Sequence, residues 1–197
     1  MIYILIALVA YCLGSFSTGL LISKNSQVDL RNQGSKNTGA SNVLRLMGVK
    51  AAAFTFLGDV LKAVVACAFG LWLGGRDGGI LAGLCVILGH NWPVFFGFKG
   101  GKGVASSCAV MLVLFPIPAL ISFVVAIVLI WITRMISVGS MAMLALFAII
   151  VCATNWGNWL VCLWAIVLAV LCFVRHRANI KRILNGCENK LGQKKSK

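Results

Sequence analysis

The stretch GHNWPVFFGFKGGKGVASS, from Gly89 to Ser107, places a histidine, two lysines and five glycines at the rim of an apolar run. Gly97, Gly100, Gly101 and Gly103 let the backbone approach an anion closely, Lys99 and Lys102 supply positive charge, and Val104 opens a predicted helix. A helix start has free N–H groups and a partial positive charge, so the chemistry favoured here is the holding of phosphate beside a bilayer. The run lacks the spacing and terminal Ser/Thr of the G-x-x-x-x-G-K-S/T nucleotide loop, and no strand precedes it, which argues against ATP binding in that style. On a plainer reading the glycines only permit a sharp re-entry into the membrane.

A second polar segment, VDLRNQGSKNTGASNVLRLMG from Val28 to Gly48, is far longer than the roughly 2–8 residues that a helix–helix connection needs. Gly34-Ser35, Asn37, Gly39 and Asn42 offer hydroxyl, amide and bare backbone donors, and Arg45 offers a planar fork suited to phosphate. Read plainly, the same residues make a solvated turn before a helix capped by Ser41 or Asn42. The turn TRMISVGS contributes Arg134, Ser137 and Ser140. The tail opens with FVRHRANIKRI, which puts Arg175, Asn179 and Arg182 near one helical face, with His176 three residues before Asn179. A basic interfacial helix bound to anionic headgroups carries the same pattern. Within an apolar run, Asp59 and Lys62 stand at i, i+3; they read as a mutual pair, with a transport pathway as the sharper alternative.

The four acids, Asp29, Asp59, Asp77 and Glu188, lie in four separate segments, which excludes the clustered carboxylates of magnesium-assisted phosphoryl transfer. No histidine is followed five positions later by aspartate, and no Ser/His/Asp set stands out as a triad. The eight cysteines (12, 67, 85, 108, 152, 162, 172 and 187) fall almost all in apolar stretches without Cys-x-x-Cys spacing. They read as small packing residues, with neither disulfides nor a metal site expected. No cofactor is expected, and the chemistry should work by positioning and charge stabilisation.

Those segments need a scaffold. With 60% hydrophobic residues, mean hydropathy +0.98 and 11% charged residues over 197 positions, the chain reads as an all-α integral membrane protein with one domain over 1–197. Apolar runs predict seven transmembrane helices, near 2–23, 48–73, 79–98, 104–115, 117–133, 138–154 and 157–174. The run from Met1 to Ile22 lacks a charged n-region and a clear cleavage site, so it reads as the first span and not a signal peptide.

Orientation follows from the basic residues. Lys24, Arg31, Lys36, Arg45 and Lys50 in one segment, and Arg175, Arg177, Lys181, Arg182, Lys190, Lys194, Lys195 and Lys197 in the tail, must share a side, so an even number of crossings separates them. Seven spans satisfy that condition with the N-terminus outside and the C-terminus inside, and they also put Lys99, Lys102 and Arg134 inside. The two short helices over about 104–133 then form a hairpin turned by Pro116-Ile117-Pro118. Every polar segment faces the cytoplasm and can converge on one site. The net charge of +14, from 18 basic and four acidic residues, follows from the same bias and calls for no nucleic acid.

Taken together, GSFSTG in the first span, DLRNQGSKNTGASNVLR, GHNWPVFFGFKGGKGVA, the ISVGS turn and RHRANIKRILNGCE resemble the bacterial acyl-phosphate:glycerol-3-phosphate acyltransferases, the PlsY family. The resemblance covers most of the chain, and the order and spacing of five motifs make it specific. It implies transfer of a fatty acyl group from acyl phosphate to the 1-hydroxyl of glycerol 3-phosphate, giving lysophosphatidate and inorganic phosphate, the first step of phospholipid synthesis. It also implies a multi-pass protein of the bacterial inner (plasma) membrane with membrane lipids around it, no metal, and an active site at the cytoplasmic face. Carried over by position, Ser35, Arg45, Lys102, Ser140, His176 and Asn179 match the catalytic, phosphate-binding set. Asn37, Gly39, Asn42, His90, Gly100, Gly101 and Gly103 match the positions that shape the loops and seat the acyl phosphate, and Glu188 matches an acidic position expected to anchor the tail to a basic loop. Lys36 stands where the family commonly has Gly, and Ser41 where it commonly has Thr.

Acyl phosphate is already activated, so no acyl-enzyme is expected. Holding the glycerol hydroxyl near the carbonyl contributes on the order of 7–11 kcal/mol in favourable cases. Lys102, Arg45 and N–H donors would stabilise the departing phosphate, and the hydroxyl proton would go to that phosphate or to a neutral histidine. A phosphate or organic-anion carrier is the rival reading, motivated by Asp59-Lys62; the chain shows no convincing internal repeat to support it. A structural protein that recruits anionic lipid leaves the two specialised loops unexplained.

Overall fold

The computed structural model describes residues 1–192; Lys194, Lys195 and Lys197 of the basic tail lie outside the described residues. Every regular element among the described residues is a helix, and the residues group into two compact units, one of Met1–Leu114 and one from Phe115 onward. Large apolar side chains such as Leu57, Leu61, Trp72, Ile127 and Trp131 lie on the outer surface, as lipid-facing positions do.

In the first unit, α1 (Ile2–Ser15) and α2 (Thr18–Asn25) divide the expected span 2–23 at Phe16–Ser17. α3 (Ala40–Asn91) has three arms, 40–47, 49–73 and 76–91, separated by non-helical Gly48 and by Gly74–Gly75. Gly75, at φ +59, turns the chain back on itself. A Cβ on Gly70 would overlap the Gly78 carbonyl region, and one on Gly78 that of Gly70, so the two long arms meet backbone to backbone. The last arm stops at Asn91, seven residues before the expected 98, because Pro93 cannot continue a helix; a 3-10 turn, Val94–Phe96, follows. α1 packs on this arm through glycines: a Cβ on Gly14 would overlap the Val86 carbonyl, and one on Gly89 the Tyr11 carbonyl. α4 (Val104–Leu114) has 11 residues. Its length of about 17 Å falls well short of a hydrocarbon core of about 30 Å.

In the second unit, α5 (Pro116–Thr133) begins one residue after the break at Phe115. Pro116 and Pro118 therefore belong to the first turn of a helix, where a missing N–H costs nothing, and do not form the turn expected between two helices. α6 (Ile136–Thr154) follows after Arg134 adopts a left-handed conformation. α7 (Trp159–Arg175), capped by the Asn158 side chain on Val161 N–H (3.3 Å), is succeeded by α8 (Arg177–Leu184) across a 59° bend. Phe115, Phe147 and Trp164 form the aromatic core, with centroids 5.6–6.2 Å apart.

Among the described residues, four helical stretches are long and apolar enough to cross a membrane: Ile2–Lys24, Ala40–Phe96, Pro116–Thr133 and Ile136–Thr154. The bent pair Trp159–Arg175 and Arg177–Leu184 makes a fifth. The protein is an all-α integral membrane protein.

Candidate active site

The first polar loop is folded around one side chain. Asn42 is fully buried in the first turn of α3, whose N-cap is Gly39 and neither Ser41 nor Asn42. Its Oδ1 accepts the Ser35 N–H (2.8 Å), and its Nδ2 donates to the carbonyls of Leu30 and Gln33 (both 3.2 Å). Gly34, at φ +64, leaves room for that amide, since a Cβ there would overlap Oδ1. Asp29 opens the loop by accepting from the Arg31 N–H (2.9 Å) and the Asn32 amide (2.6 Å); the Asn32 bond holds its carboxyl below the usual range. Leu30 and Val43 pack beneath. The loop leaves Ser35 half-buried, Asn37 buried and Arg45 exposed. Asn42 thus acts on the loop's shape, with its donors and acceptor already used.

The glycine-rich turn lies in the same unit. The His90 carbonyl accepts the Gly101 N–H (3.1 Å), and the Asn91 carbonyl accepts the Gly100 N–H (3.3 Å), folding the turn over the end of α3. A Cβ on Gly101 would overlap Nε2 of His90, and one on Gly100 the His90 carbonyl, so both positions require glycine. Gly103, at φ +77, delivers the chain to Val104 and the start of α4, with Lys102 half-buried beside it. The other ring nitrogen of His90 is held from below: Lys62 Nζ lies 3.0 Å from Nδ1, 2.8 Å from Asp59 Oδ1 and 2.8 Å from the Phe16 carbonyl at the α1–α2 break. The Asp59 contact is an ion pair by distance without hydrogen-bond alignment. Insertion of either charge alone costs about 2.5–3.5 kcal/mol, and the pair answers the sequence's question about partners: each is the other's, with His90 as the third member.

The second unit holds a separate polar cluster. Glu188 accepts from Ser137 Oγ (2.8 Å), Asn179 Nδ2 (2.5 Å) and Arg182 Nε (2.8 Å). Burial pushes its carboxyl up, but the three hydrogen bonds and the Arg182 charge outweigh that and hold it below the usual range. Glu188 thus ties the tail to Ser137 of α6 and to α8, where the expectation was a basic loop. His176 caps the bend between α7 and α8, so the tail is not the one continuous helical face expected for Arg175, Asn179 and Arg182. Its Nδ1 lies 2.8 Å from the Cys172 carbonyl. Ser140 Oγ donates to the Ile136 carbonyl (2.9 Å), and Cys172 Sγ approaches the Ser140 carbonyl (3.8 Å).

The first unit thus brings together His90, Gly100, Gly101, Lys102 and Gly103, and separately Ser35 with Asn42; the second brings together His176, Asn179 and Ser140's neighbourhood. The roles of Arg31 and Asn91, and the partner of Ser137, were not foreseen from the sequence. Arg31 donates to the Phe96 and Lys99 carbonyls (the latter at 3.0 Å) and clamps the first loop to the second. Ser137 meets Glu188. Asn91 is 1% exposed, with neither Nδ2 nor Oδ1 paired, and Oδ1 sits 2.9 Å from where a Gly103 Cβ would be. Its only signal in the sequence was adjacency to His90.

The class is that of helical integral membrane proteins, with a glycine-rich, lysine-bearing helix start in one unit and buried Ser140, His176 and Asn179 in the other. The family model described as glycerol-3-phosphate acyltransferase matches residues 4–186. A glycerol-3-phosphate acyltransferase of Clostridioides difficile is 46% identical over 98% of this chain and 97% of its own length. That of Thermoanaerobacter pseudethanolicus is 42% identical over 97% and 96%. The crystal structure of PlsY, an integral membrane glycerol 3-phosphate acyltransferase, in its glycerol 3-phosphate form superposes with a TM-score of 0.90 at 37% identity, covering 96% of each chain. Its lysophosphatidic acid form gives 0.87 at 36%, covering 96% of this chain and 95% of that one. The chain belongs to the glycerol-3-phosphate acyltransferase family and is an enzyme of lipid synthesis.

Proposed function

We propose that this enzyme takes its acyl group from acyl phosphate and places it on the 1-hydroxyl of glycerol 3-phosphate, releasing lysophosphatidate and inorganic phosphate. The observation that carries the reading is the glycine-rich turn, where His90 and Asn91 accept backbone bonds from Gly101 and Gly100 and Lys102 stands at the mouth of α4. A turn built on glycine backbone at a helix start suits a phosphate monoester or acyl phosphate. The relatives named for glycerol 3-phosphate, and the neighbour solved with that substrate and with lysophosphatidic acid, support acceptor and product.

The glycerol oxygen attacks the acyl carbonyl carbon, the new ester C–O bond forms, and the bond from acyl carbon to phosphate oxygen breaks. Phosphate leaves with its electron pair. Lys102, Arg45 and N–H groups at the start of α4 stabilise the negative charge that grows on it. Ser35, Ser140, His176 and Asn179 bind the phosphate of the acceptor and the product phosphate, while Asn37, Gly39, Asn42, His90, Gly100, Gly101 and Gly103 shape and seat the donor. The hydroxyl proton passes to the departing phosphate. Seven spans, the N-terminus outside, a hairpin over 104–133 and a single domain put these groups at the cytoplasmic face of the bacterial plasma membrane.

The test uses purified protein in detergent with acyl phosphate and glycerol 3-phosphate, following phosphate release and lysophosphatidate together. Equal amounts of both products, and none from acyl-CoA offered alone, support the reading. Absence of product alongside uptake of substrate into proteoliposomes replaces it with a carrier. His90→Ala and His176→Ala, assayed across pH, test the proton's destination: turnover retained in both excludes a histidine base.

A further inference from the structure

We infer that the Asp59–Lys62 pair is the positioning device of His90: it holds the imidazole neutral with its proton on Nε2, so that His90 offers the glycine-rich turn a donor and no base.

An ammonium has three N–H groups and no lone pair. Lys62 Nζ has two aligned partners, the Phe16 carbonyl at 2.8 Å and His90 Nδ1 at 3.0 Å, with Asp59 Oδ1 beside it at 2.8 Å as counter-ion. His90 Nδ1 must therefore present its lone pair to Lys62, which leaves the ring proton on Nε2. The opposite assignment, an Nδ1–H donated to Asp59 Oδ1 at 3.3 Å, would point one N–H at another across the shorter 3.0 Å contact. Asp59 and Lys62 are each held by an element other than their own. The Phe16 carbonyl reaches Lys62 because the α1–α2 break turns it out of both helices, Ser106 Oγ of α4 donates to the Asp59 carbonyl (3.1 Å), and Asp59, Lys62 and His90 are 2%, 9% and 5% exposed. Nε2 then faces the turn where a Cβ on Gly101 would stand. A buried charge pair deep in one arm of α3 thus sets the orientation and proton of a ring at the end of another arm, at the surface of the donor seat.

The consequence for catalysis rests on the reading of that turn as the seat of acyl phosphate; the tautomer does not. Two measurements separate them. The full-length protein labelled with 15N-histidine contains two histidines, and His90→Gln assigns the pair. An unprotonated Nδ1 and a protonated Nε2 at His90 are expected, and a protonated Nδ1 or an imidazolium there overturns the inference. Lys62→Met, and the charge-neutral double variant Asp59→Asn/Lys62→Met if the single one does not fold, are then assayed for both substrates. The expected result is a KM for acyl phosphate raised about tenfold, the loss of one hydrogen bond to a charged donor, with KM for glycerol 3-phosphate unchanged. Lys62→Arg should recover part of that loss by keeping a donor at Nδ1. Unchanged kinetics in a folded variant, or equal rises in both KM values, sink the positioning role. A wild-type enzyme that makes no product from acyl phosphate removes the donor-seat reading and leaves the tautomer result standing.

Discussion

The two histidines of this chain sit in opposite settings. In the first unit Nδ1 of His90 faces the Lys62 ammonium at 3.0 Å and must accept; in the second, Nδ1 of His176 faces the Cys172 carbonyl at 2.8 Å and must donate. A carbonyl has only lone pairs, so the ring proton of His176 is on Nδ1 and its Nε2 is the basic nitrogen, whereas His90 presents a protonated Nε2. Each cluster also contains one buried carboxylate, used differently. Asp59 neutralises a cation inside a span, while Glu188 gathers the Ser137, Asn179 and Arg182 donors. In a chain with four acids, two serve as organisers of the polar clusters. If a histidine takes the substrate proton, His176 has the nitrogen for it.

The heaviest blow to this contrast is Asp59→Ala. It leaves the Lys62 charge buried without its carboxylate and should cost about 3–5 kcal/mol, seen as a large fall in the unfolding temperature in detergent. Adding Lys62→Met should restore much of it, because the orphaned charge is then gone. A single variant as stable as wild type would show that Lys62 is not held by Asp59.

Glu188→Ala comes next, at about 1.5–3 kcal/mol for the loss of hydrogen bonds to a charged acceptor, reduced by the solvent around Arg182. Its pH signature has a fixed sign. Because the folded carboxyl lies below its ordinary 4.5, the contribution is complete above that value and disappears as pH falls through the folded one. Glu188→Gln should therefore flatten the acid side of a stability-against-pH curve and leave the neutral side merely lower. An unaltered acid limb would mean that Glu188 is not ionised in the folded protein.

Gly101→Ala probes the floor of the turn. The added Cβ meets Nε2 of His90, a ring that its Lys62 contact keeps from moving, so the turn must shift and KM for acyl phosphate should rise about tenfold. Gly97→Ala is the control: at φ +65 with open space around it, it brings backbone strain without a clash and should change KM less. Equal effects would show that crowding at His90 is irrelevant.

Much of this was legible in the residues. Composition and apolar runs give the helical membrane class, and glycines with lysines before Val104 mark the anion-receptive turn, because both depend on local sequence. The breaks were harder to see. Phe16–Ser17 divides what reads as a single span, and the final arm of α3 ends at Asn91, seven residues short of the expected bound, with Pro93 and a 3-10 turn after it. The assignment of Asn42 to the loop's interior, the Arg31 clamp over 65 residues to Phe96, and the Ser137–Glu188 bond over 51 residues rest on contacts between distant positions, which spacing along the chain does not encode. Asp59 and Lys62 announced themselves as a pair, but the third member, 28 residues from Lys62, became visible only in space.

The smallest effect concerns a residue of the first polar loop. Lys36 has φ +56, the left-handed region, where a side chain costs roughly 1 kcal/mol and glycine does not. Its N–H donates to the Gln33 carbonyl (3.0 Å), so the conformation is fixed by the turn and not by the lysine. That explains physically why a glycine suits the position and what the lysine's presence costs: strain, independent of charge. Lys36→Gly should relieve the strain but loosen the unfolded chain, leaving a net gain of at most about 1 kcal/mol. Lys36→Asn, which tolerates the left-handed region and removes the charge, separates the two explanations. If strain dominates, both variants raise the unfolding temperature, glycine at least as much as asparagine, with KM for glycerol 3-phosphate unchanged. If the charge assists the substrate, both raise that KM equally, and the departure at Lys36 is an adaptation of binding.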